Sequence, residues 1–187
     1  MNTLSDKFNL YLSISNSWPL DDWSITKECF DKIVEMLPFG STILEIGSGN
    51  STKILSHFYK MISIESNIEW MNKYNSEYIY VPPKKFNSEI FGETNWIDVD
   101  ILKSSLDGKK YDLLIVDAGF DRVGIYDNLH LFNTNIPIIF DDTMAESYLK
   151  CANLVAKKLN KICTTYHCKV NKYAVTWFKG KMFSLIL

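Results

Sequence analysis

Carboxylates end several of the apolar runs in this chain, at positions where buried β-strands are expected to stop. In an open α/β sheet the carboxyl ends of parallel strands share one edge, and ligands bind beyond that edge. We therefore expect these side chains to gather at one rim, where they would attract a cationic ligand, a basic side chain or a metal ion. The residues concerned are Glu45, Glu65, Asp117, Asp141 and Asp142.

The first of these carboxylates stands in the run Ile43–Thr52, which reads Ile-Leu-Glu-Ile-Gly-Ser-Gly-Asn-Ser-Thr. Gly47 and Gly49 let a ligand approach the main chain, and the helix expected to follow offers unpaired N–H groups. A dinucleotide-binding fingerprint would place a third glycine where the chain has Thr52. Glu45 would repel a pyrophosphate, whereas it suits a ligand with an ammonium and a sulfonium group. The run therefore predicts binding of S-adenosylmethionine rather than of a dinucleotide.

A second carboxylate has the spacing of a ribose acceptor. Glu65 ends the predicted strand 61–65, roughly 20 residues after the glycines, where α/β nucleoside sites place the acid that binds the ribose hydroxyls. Ser51 or Thr52 is expected to cap the intervening helix. The predicted cosubstrate-binding residues are Glu45, Gly47, Ser48, Gly49, Ser51, Thr52, Glu65, Ser66 and Asp117.

The later aspartates allow two interpretations. As an all-oxygen ligand set, Asp117, Asp141 and Asp142 would favour Mg²⁺, Mn²⁺ or Ca²⁺ over zinc. Alternatively, Asp117 and Asp141 cap helices and hydrogen-bond the substrate, while Asp142 is solvated. Part of the negative charge would be offset by basic residues, either Arg122 or the pair Lys84 and Lys85.

Apolar periodicity predicts alternating strands and helices, which implies a doubly wound, Rossmann-like α/β fold. The expected sheet has seven strands, is mostly parallel and is closed by a C-terminal antiparallel hairpin with Asn171-Lys172 as its turn. Residues 84–95 are expected to form a loop or β-excursion over the site. The predicted strands are 43–46, 61–65, 78–81, 111–117, 136–142, 162–170 and 173–178, and the predicted helices are 24–37, 50–59, 67–75 and 144–159.

Composition limits the class of protein. The chain has 187 residues, 47% hydrophobic content and a formal net charge of −2, which predicts one domain over 1–187 with residues 1–23 as an N-terminal arm or lid. The charge gives no sign of a nucleic-acid or membrane partner, and no apolar run approaches the ~20 residues of a membrane span. We expect a cytoplasmic protein with free cysteines. The oligomeric state stays open, with a homodimer as one alternative.

Four segments together resemble class I S-adenosylmethionine-dependent methyltransferases, in a branch close to small-molecule and sugar O-methyltransferases. They are Ile43–Thr52, Ser63–Trp70, Asp112–Gly119 and Phe140–Thr143. The resemblance implies that Glu45 and Gly47 to Gly49 flank the methionine part of the cosubstrate and that Glu65 binds its ribose. Asp117, Asp141 and Asp142 correspond to the Asp, Asp and Asn that hold Mg²⁺ in catechol-type enzymes. Those enzymes have a lysine base where this chain has Phe120, and an asparagine where it has Asp142.

The predicted reaction is methyl transfer to a hydroxyl of a small polar acceptor, such as a sugar or nucleotide-sugar. Asp117 or Asp141 is expected to act as the base, with Arg122 or His130 orienting the acceptor. The favoured alternative for His130 is a helix residue with no chemical role. Tryptophans in expected rim segments suit stacking on a sugar ring, and packing in the core is the alternative for them, namely for Trp18, Trp23 and Trp96.

Three alternatives remain open. An N-methyltransferase acting on an amino sugar or another amine would use the same scaffold and need a weaker base. A non-catalytic protein would keep the nucleoside pocket alone. A nucleic-acid methyltransferase is disfavoured, because the sequence 117–120 reads Asp-Ala-Gly-Phe where an enzyme of exocyclic amines would carry an Asn/Asp-Pro-Pro-Tyr type of loop.

Overall fold

A computed structural model describes residues 3–18, 24–168 and 181–187 of the chain. Its helices are α1 (Leu4–Asn16), α2 (Lys27–Met36), α3 (Asn50–Leu55), α4 (Val99–Leu106) and α5 (Glu146–Leu159). Its strands are β1 (Thr42–Ile46), β2 (Lys60–Glu65), β3 (Glu77–Tyr80), β4 (Pro83–Ser88), β5 (Gly92–Ile97), β6 (Leu113–Val116), β7 (Ile138–Phe140), β8 (Cys163–His167) and β9 (Met182–Ile186). Short 3₁₀ turns occupy Ile68–Trp70, Arg122–Ile125 and Leu129–Leu131.

The main sheet has seven strands in the order β3-β2-β1-β6-β7-β9-β8. The first five are parallel, and β9 runs antiparallel between β7 and β8. This arrangement confirms the predicted doubly wound, mostly parallel sheet with a C-terminal antiparallel pair. The winding changes direction between β1 and β6, which makes the edge above these two strands a topological switch point.

Two apolar cores cover the two faces of the sheet, because each central strand is apolar on both sides. On β6, Leu114 and Val116 join the core that contains α4 and α5. Leu113 and Ile115 face the other core, which contains α2 and α3. Strands buried on both faces read as continuous apolar runs, which is the pattern that made β6 recognisable in the sequence.

Two predicted helices are shorter than expected. The helix predicted at 50–59 ends at Leu55, and that predicted at 67–75 is only the 3₁₀ turn Ile68–Trp70. No residue of that turn is buried, so it has no apolar face to pack, and packing supplies most helix stability in proteins. Asn72 also has a left-handed φ of 59°, which interrupts a helix.

The stretch 84–95 forms an antiparallel hairpin, because β4 and β5 pair from Pro83–Ile97 to Ser88–Gly92. This confirms the β-excursion among the two predicted alternatives. The sequence interpretation missed the helix that follows. Asp98 caps α4 by accepting hydrogen bonds from the backbone N–H groups of Asp100 and Ile101, which is a start signal readable in the sequence.

The C-terminal strand pair differs from the prediction in its second strand. The predicted strand 173–178 and its Asn171-Lys172 turn lie outside the described residues. The strand that pairs with β8 is β9, with His167 opposite Met182 and Cys163 opposite Ile186. The missed signal was the alternation in β9, where Phe183 and Leu185 enter the core on the α2 side.

Residues 4–16 of the predicted arm form α1, which packs against α2. The Tyr11 hydroxyl donates a hydrogen bond of 3.0 Å to Asp31, and the Trp18 ring stacks on Phe30 with centroids 5.0 Å apart. Residues 19–23 lie outside the description, so a covering role over the site stays a prediction. All four cysteines are free thiols. Among the described residues, no helix has the length and apolar character needed to cross a bilayer.

Candidate functional site

A cavity of about 560 Å³ lies beyond the carboxyl ends of β1, β2, β6 and β7. This is the edge at which the winding reverses, where open α/β sheets bind their ligands. The volume lies within the range of about 300–1,000 Å³ that is typical of small-molecule sites. The lining residues are Gly47, Ser48, Gly49, Asn50, Glu65, Ser66, Asn67, Trp70, Asp117, Ala118, Gly119, Phe120, Arg122, Asp141, Asp142 and Lys181.

The turn after β1 depends on a single obligatory glycine. Gly47 has a φ of 90°, and a Cβ built there would lie 2.3 Å from the carbonyl oxygen of Asp117. The end of β6 therefore packs directly against this turn and leaves no room for a side chain. Gly49 has a φ of −178°, an extended conformation that any residue adopts, so its backbone angle does not require glycine.

Glu45 lies beneath the turn, is 2% exposed and does not line the cavity. Its Oε1 accepts hydrogen bonds from the hydroxyls of Thr52 at 2.6 Å and Ser63 at 2.5 Å. Burial raises the pKa of Glu45 from its ordinary 4.5 to about 7, although the two hydroxyls oppose the rise. The structure thus differs from the expectation that Glu45 flanks the ligand, because the carboxyl joins β1, β2 and α3 from within.

The two residues expected to cap α3 also make internal contacts. Thr52 Oγ1 accepts a hydrogen bond of 2.9 Å from the Gly49 N–H, so Thr52 does serve the start of the helix. Ser51 Oγ instead accepts a hydrogen bond of 2.8 Å from the Ile25 N–H, which ties α3 to the segment before α2. Neither residue lines the cavity.

Glu65 lines the cavity and is 6% exposed. Its Oε2 accepts hydrogen bonds from Ser48, from the N–H at 2.9 Å and from the hydroxyl at 2.7 Å. Its Oε1 accepts from the N–H groups of Ser66 and Asn67, both at 2.8 Å. A carboxylate offers about four lone-pair positions, so these four donors fill them. Only the Ser48 hydroxyl among the four is free to rotate away.

The three later aspartates come together around one arginine. A ligand oxygen from each of Asp117, Asp141 and Asp142 lies within 4.8 Å of the others. Arg122 Nη2 donates to Asp117 Oδ1 at 3.0 Å and to Asp142 Oδ2 at 2.9 Å. Arg122 Nη1 donates to the Asp141 carbonyl oxygen at 2.6 Å, and Nε donates to the Ala118 carbonyl oxygen at 3.0 Å. The predicted catalytic residues therefore form one cluster.

Burial sets the protonation behaviour of this cluster. It raises the pKa of Asp117 to about 7, although the Arg122 charge opposes the rise. Burial and the neighbouring aspartates raise the pKa of Asp141 well above its usual range. Asp141 Oδ1 is buried with no hydrogen-bond partner among the described residues. Asp142 adopts a left-handed φ of 53°, which aspartate tolerates better than most residues.

The cluster does not fit a divalent cation while Arg122 occupies it. Mg²⁺ and Ca²⁺ bind carboxylate oxygens at about 2.0–2.6 Å, and Arg122 Nη2 already hydrogen-bonds one oxygen of Asp117 and one of Asp142, so an ion would compete with the guanidinium for them. The guanidinium would also repel the ion. The all-oxygen donor set is present as the sequence predicted, and its charge is compensated by an arginine.

Several residues that the sequence offered for the site lie away from the cavity, and one lies outside the described residues. Lys84 pairs with Asp98 at 2.9 Å, and Lys85 pairs with Glu93 at 2.9 Å, so neither offsets the cluster. His130 is exposed and does not line the cavity. Of the tryptophans expected at the rim, Trp18 and Trp96 pack into the apolar cores, and Trp23 lies outside the described residues.

The cavity instead contains side chains that the sequence interpretation did not assign to a site. Trp70 lines it, and the Lys73 ammonium lies 3.9 Å from the centroid of the Trp70 ring. Phe120 lines it and packs edge-on against Trp96. Lys181 reaches it from the start of β9 and donates a hydrogen bond of 2.7 Å to the Ser24 carbonyl oxygen. Lys181 is distant in sequence from every motif, so no local signal identifies it.

Solved structures of several transferases are similar to this chain. A precorrin-6y C5,15-methyltransferase from Geobacter metallireducens has a TM-score of 0.57 at 10% identity, over 89% of this chain and 90% of that chain. A SAM-dependent O-methyltransferase from Thermotoga maritima has a TM-score of 0.55 at 13% identity, over 95% and 70%. A spermidine synthase from Thermotoga maritima has a TM-score of 0.51 at 11% identity, over 80% and 53%.

No protein-family model matches the sequence, and no curated protein matches it. At such low identities the similarities show the fold alone, a Rossmann-like sheet that this chain shares with the two methyltransferases. Because a spermidine synthase shares this fold, the fold alone does not decide the reaction.

Proposed function

We propose that this protein is an S-adenosylmethionine-dependent methyltransferase that methylates a hydroxyl of a small polar molecule, such as a sugar or nucleotide-sugar. The observation that carries the proposal is the position of Glu65. It ends β2 inside an open cavity at the switch point, next to the glycine turn that follows β1. This is the place where α/β nucleoside sites hold a ribose.

Ribose binding would use the hydrogen-bond geometry already present around Glu65. Backbone N–H groups fix three of its four acceptor positions, and the Ser48 hydroxyl fills the fourth. In this proposal a ribose hydroxyl replaces the Ser48 hydroxyl on Oε2. The Glu65 carboxylate is then held in place by the fold, and none of its acceptor positions is left unpaired before the ligand arrives.

The charge of the cavity supports a cationic cosubstrate. Four carboxylates line it, from Glu65 and the three clustered aspartates, against two basic side chains, Arg122 and Lys181. Arg122 is already hydrogen-bonded to two of these aspartates. A sulfonium and an ammonium would favour the ionised forms of Asp117 and Asp141, whose pKa values are raised by burial. Glu45 contributes to this preference only from beneath the turn, because it does not face the cavity.

The cavity volume supports a small acceptor. About 560 Å³ has to hold the nucleoside cosubstrate as well as the acceptor. Trp70 and Phe120 offer aromatic surface to an acceptor ring in place of the tryptophans expected from the sequence. The precorrin methyltransferase name belongs to a structural neighbour, and a small polar acceptor remains our proposal for this chain.

The proposed step is an in-line displacement. The acceptor oxygen attacks the methyl carbon, the carbon–sulfur bond breaks with its electron pair returning to sulfur, and neutral S-adenosylhomocysteine leaves. Asp117 accepts the hydroxyl proton, because its pKa of about 7 allows it to be ionised and still basic near neutral pH. Arg122 keeps the Asp117 carboxylate oriented through its Nη2 contact.

One observation favours an amine acceptor as the second candidate. Phe120 stands where catechol-type enzymes have a lysine base, so the residue lining the cavity at that point is apolar. A neutral amine attacks through its lone pair without first losing a proton, so it needs a weaker base than a hydroxyl does. A protonated amine would be attracted to the acidic cavity and would lose its proton to a base there before it attacks.

Methyl transfer from S-adenosylmethionine labelled in its methyl group tests the proposal. The protein would be incubated with a panel of sugars, nucleotide-sugars, amino sugars and simple amines, and labelled products would be analysed for O–CH₃ or N–CH₃ bonds. O-methylated product supports the main proposal, and N-methylated product supports the second candidate. Binding of the cosubstrate without turnover on either group of acceptors would favour a non-catalytic nucleoside-binding protein.

A further inference from the structure

Arg122 is held more completely than an ordinary surface arginine. It is 5% exposed, and four of its five N–H hydrogens donate to oxygens of Ala118, Asp117, Asp141 and Asp142. Two of these acceptors are carboxylates, and two are carbonyls at the ends of β6 and β7. The guanidinium therefore joins the two strand ends that form one side of the cavity.

The segment that carries Arg122 is braced from outside. Asp121 and Asn95 exchange two hydrogen bonds, one between main chains at 3.1 Å and one from the Asn95 N–H to Asp121 Oδ2 at 2.9 Å. Gly124 packs so closely on Trp96 that a Cβ there would lie 2.5 Å from the indole ring. The Tyr148 ring lies 5.0 Å from the guanidinium carbon. The β4–β5 hairpin and α5 thus prevent Arg122 from swinging out of the cluster.

We propose that Arg122 is the resident cation of the aspartate cluster and replaces a divalent metal ion there, so that the native site binds no metal. The Nη2 atom bridges Asp117 and Asp142 at hydrogen-bond distance and supplies a positive charge between the two carboxylates. The same three carboxylates would form a divalent-cation site once Arg122 is removed. Asp141 would contribute its Oδ1 atom, which is buried and has no partner among the described residues.

The inference depends on the cluster geometry alone and goes beyond the proposed reaction. It holds whether the cosubstrate is S-adenosylmethionine or another nucleoside. A guanidinium carries one positive charge in a fixed planar arrangement, whereas a metal ion would carry two and would accept lone pairs from the acceptor. Arg122 is therefore a positioning residue for Asp117 and Asp142, and it leaves the acceptor to be polarised by hydrogen bonds.

Mn²⁺ binding measured by electron paramagnetic resonance of the free ion tests this inference without any cosubstrate. Wild type should show no stoichiometric site up to about 1 mM Mn²⁺, the weak end of carboxylate-site affinities. The methionine of Arg122→Met is similar in length to arginine and carries no charge. This variant should gain one Mn²⁺ site per chain with a dissociation constant at least about 100-fold below that limit of about 1 mM, because one repelling charge at close range has been removed. Arg122→Lys is the matched control and should not gain the site, since the charge remains.

A double variant identifies the ligands. Adding Asp142→Asn to Arg122→Met should weaken the new Mn²⁺ site at least about tenfold, because one carboxylate oxygen has lost its charge. Circular dichroism would establish that the variants fold. A stoichiometric Mn²⁺ site in wild type that Asp142→Asn abolishes would overturn the inference, and this measurement decides the matter even if Arg122→Met does not fold. A folded Arg122→Met that gains no site would overturn it as well.

Discussion

Replacing Glu45 by glutamine should stabilise the protein at alkaline pH. Glu45 is buried, and its Oε1 accepts hydrogen bonds from Thr52 and Ser63. A glutamine of the same shape can accept both with its carbonyl oxygen. It carries no charge, so it avoids the desolvation that raises the pKa of Glu45 to about 7. The substitution therefore removes a cost while keeping the contacts.

The magnitude follows from proton linkage. Between the unfolded-state pKa of 4.5 and the folded-state pKa of about 7, the folded protein holds a proton on Glu45 that the unfolded chain has lost. Stability therefore falls as pH rises through this window, and the fall is complete above the folded-state value. The difference between the folded-state and unfolded-state pKa values of Glu45 corresponds to a loss of about 3 kcal/mol in the free energy of unfolding.

Urea unfolding of wild type and Glu45→Gln at pH 4.5 and pH 8.5 measures the effect. The two proteins should have similar unfolding free energies at the lower pH. The variant should be more stable by about 3 kcal/mol at the higher pH. Taking the difference between the proteins removes the contributions of titrating groups that do not interact with Glu45. A variant that is less stable than wild type at pH 8.5 would refute the reasoning, because it would mean that the ionised carboxylate is required by the fold.

Three further substitutions test the site. Gly47→Ala should lower the free energy of unfolding by about 2 kcal/mol or more, since its Cβ would meet the Asp117 carbonyl at a positive φ. The control Gly119→Ala has no atom within 4 Å of its Cβ and should change the melting temperature little. Equal effects of the two substitutions would contradict the packing account. Ser48→Ala should bind S-adenosylhomocysteine at least as tightly as wild type, because the ligand displaces the Ser48 hydroxyl from Glu65. An affinity about tenfold weaker, equivalent to about 1.4 kcal/mol, would mean that the hydroxyl contacts the ligand itself. Gly124→Ala should lower stability by about 1–3 kcal/mol through overpacking against Trp96, and an unchanged melting temperature would show that the hairpin yields.

The central sheet could be predicted because its strands are apolar on both faces. β1, β2, β6 and β7 read as short continuous apolar runs that end in carboxylates, and the structure places them side by side. The fold class followed from their alternation with helices. β9 was not predicted, because the sequence analysis placed the last strand at residues 173–178. The helix predicted at 67–75 is too long, because its polar residues leave it no apolar face to bury.

The site could be predicted only in part. The local sequence shows where a strand ends, but it does not show which side chains from distant parts of the chain come into contact. The sequence predicted that Glu65 and the three aspartates lie at one edge of the sheet, and in the structure all four line the cavity. The sequence could not show that the Glu45 side chain lies beneath the turn, because successive residues of a strand point to opposite faces and a shift of one residue reverses the face. The role of Lys181 depends on a strand that inserts between β7 and β8, which no local pattern reports.

Isothermal titration with S-adenosylhomocysteine tests the central claim most directly, namely that the cavity at the switch point binds a nucleoside through Glu65. Wild type should bind one ligand per chain. Glu65→Gln should weaken the affinity by at least about tenfold, because a charged hydrogen bond is worth about 1.5–3 kcal/mol. The matched control Glu69→Gln changes an exposed acid on the neighbouring 3₁₀ turn and should bind like wild type. Absence of binding by wild type, or equal affinity of Glu65→Gln and wild type, would contradict the account.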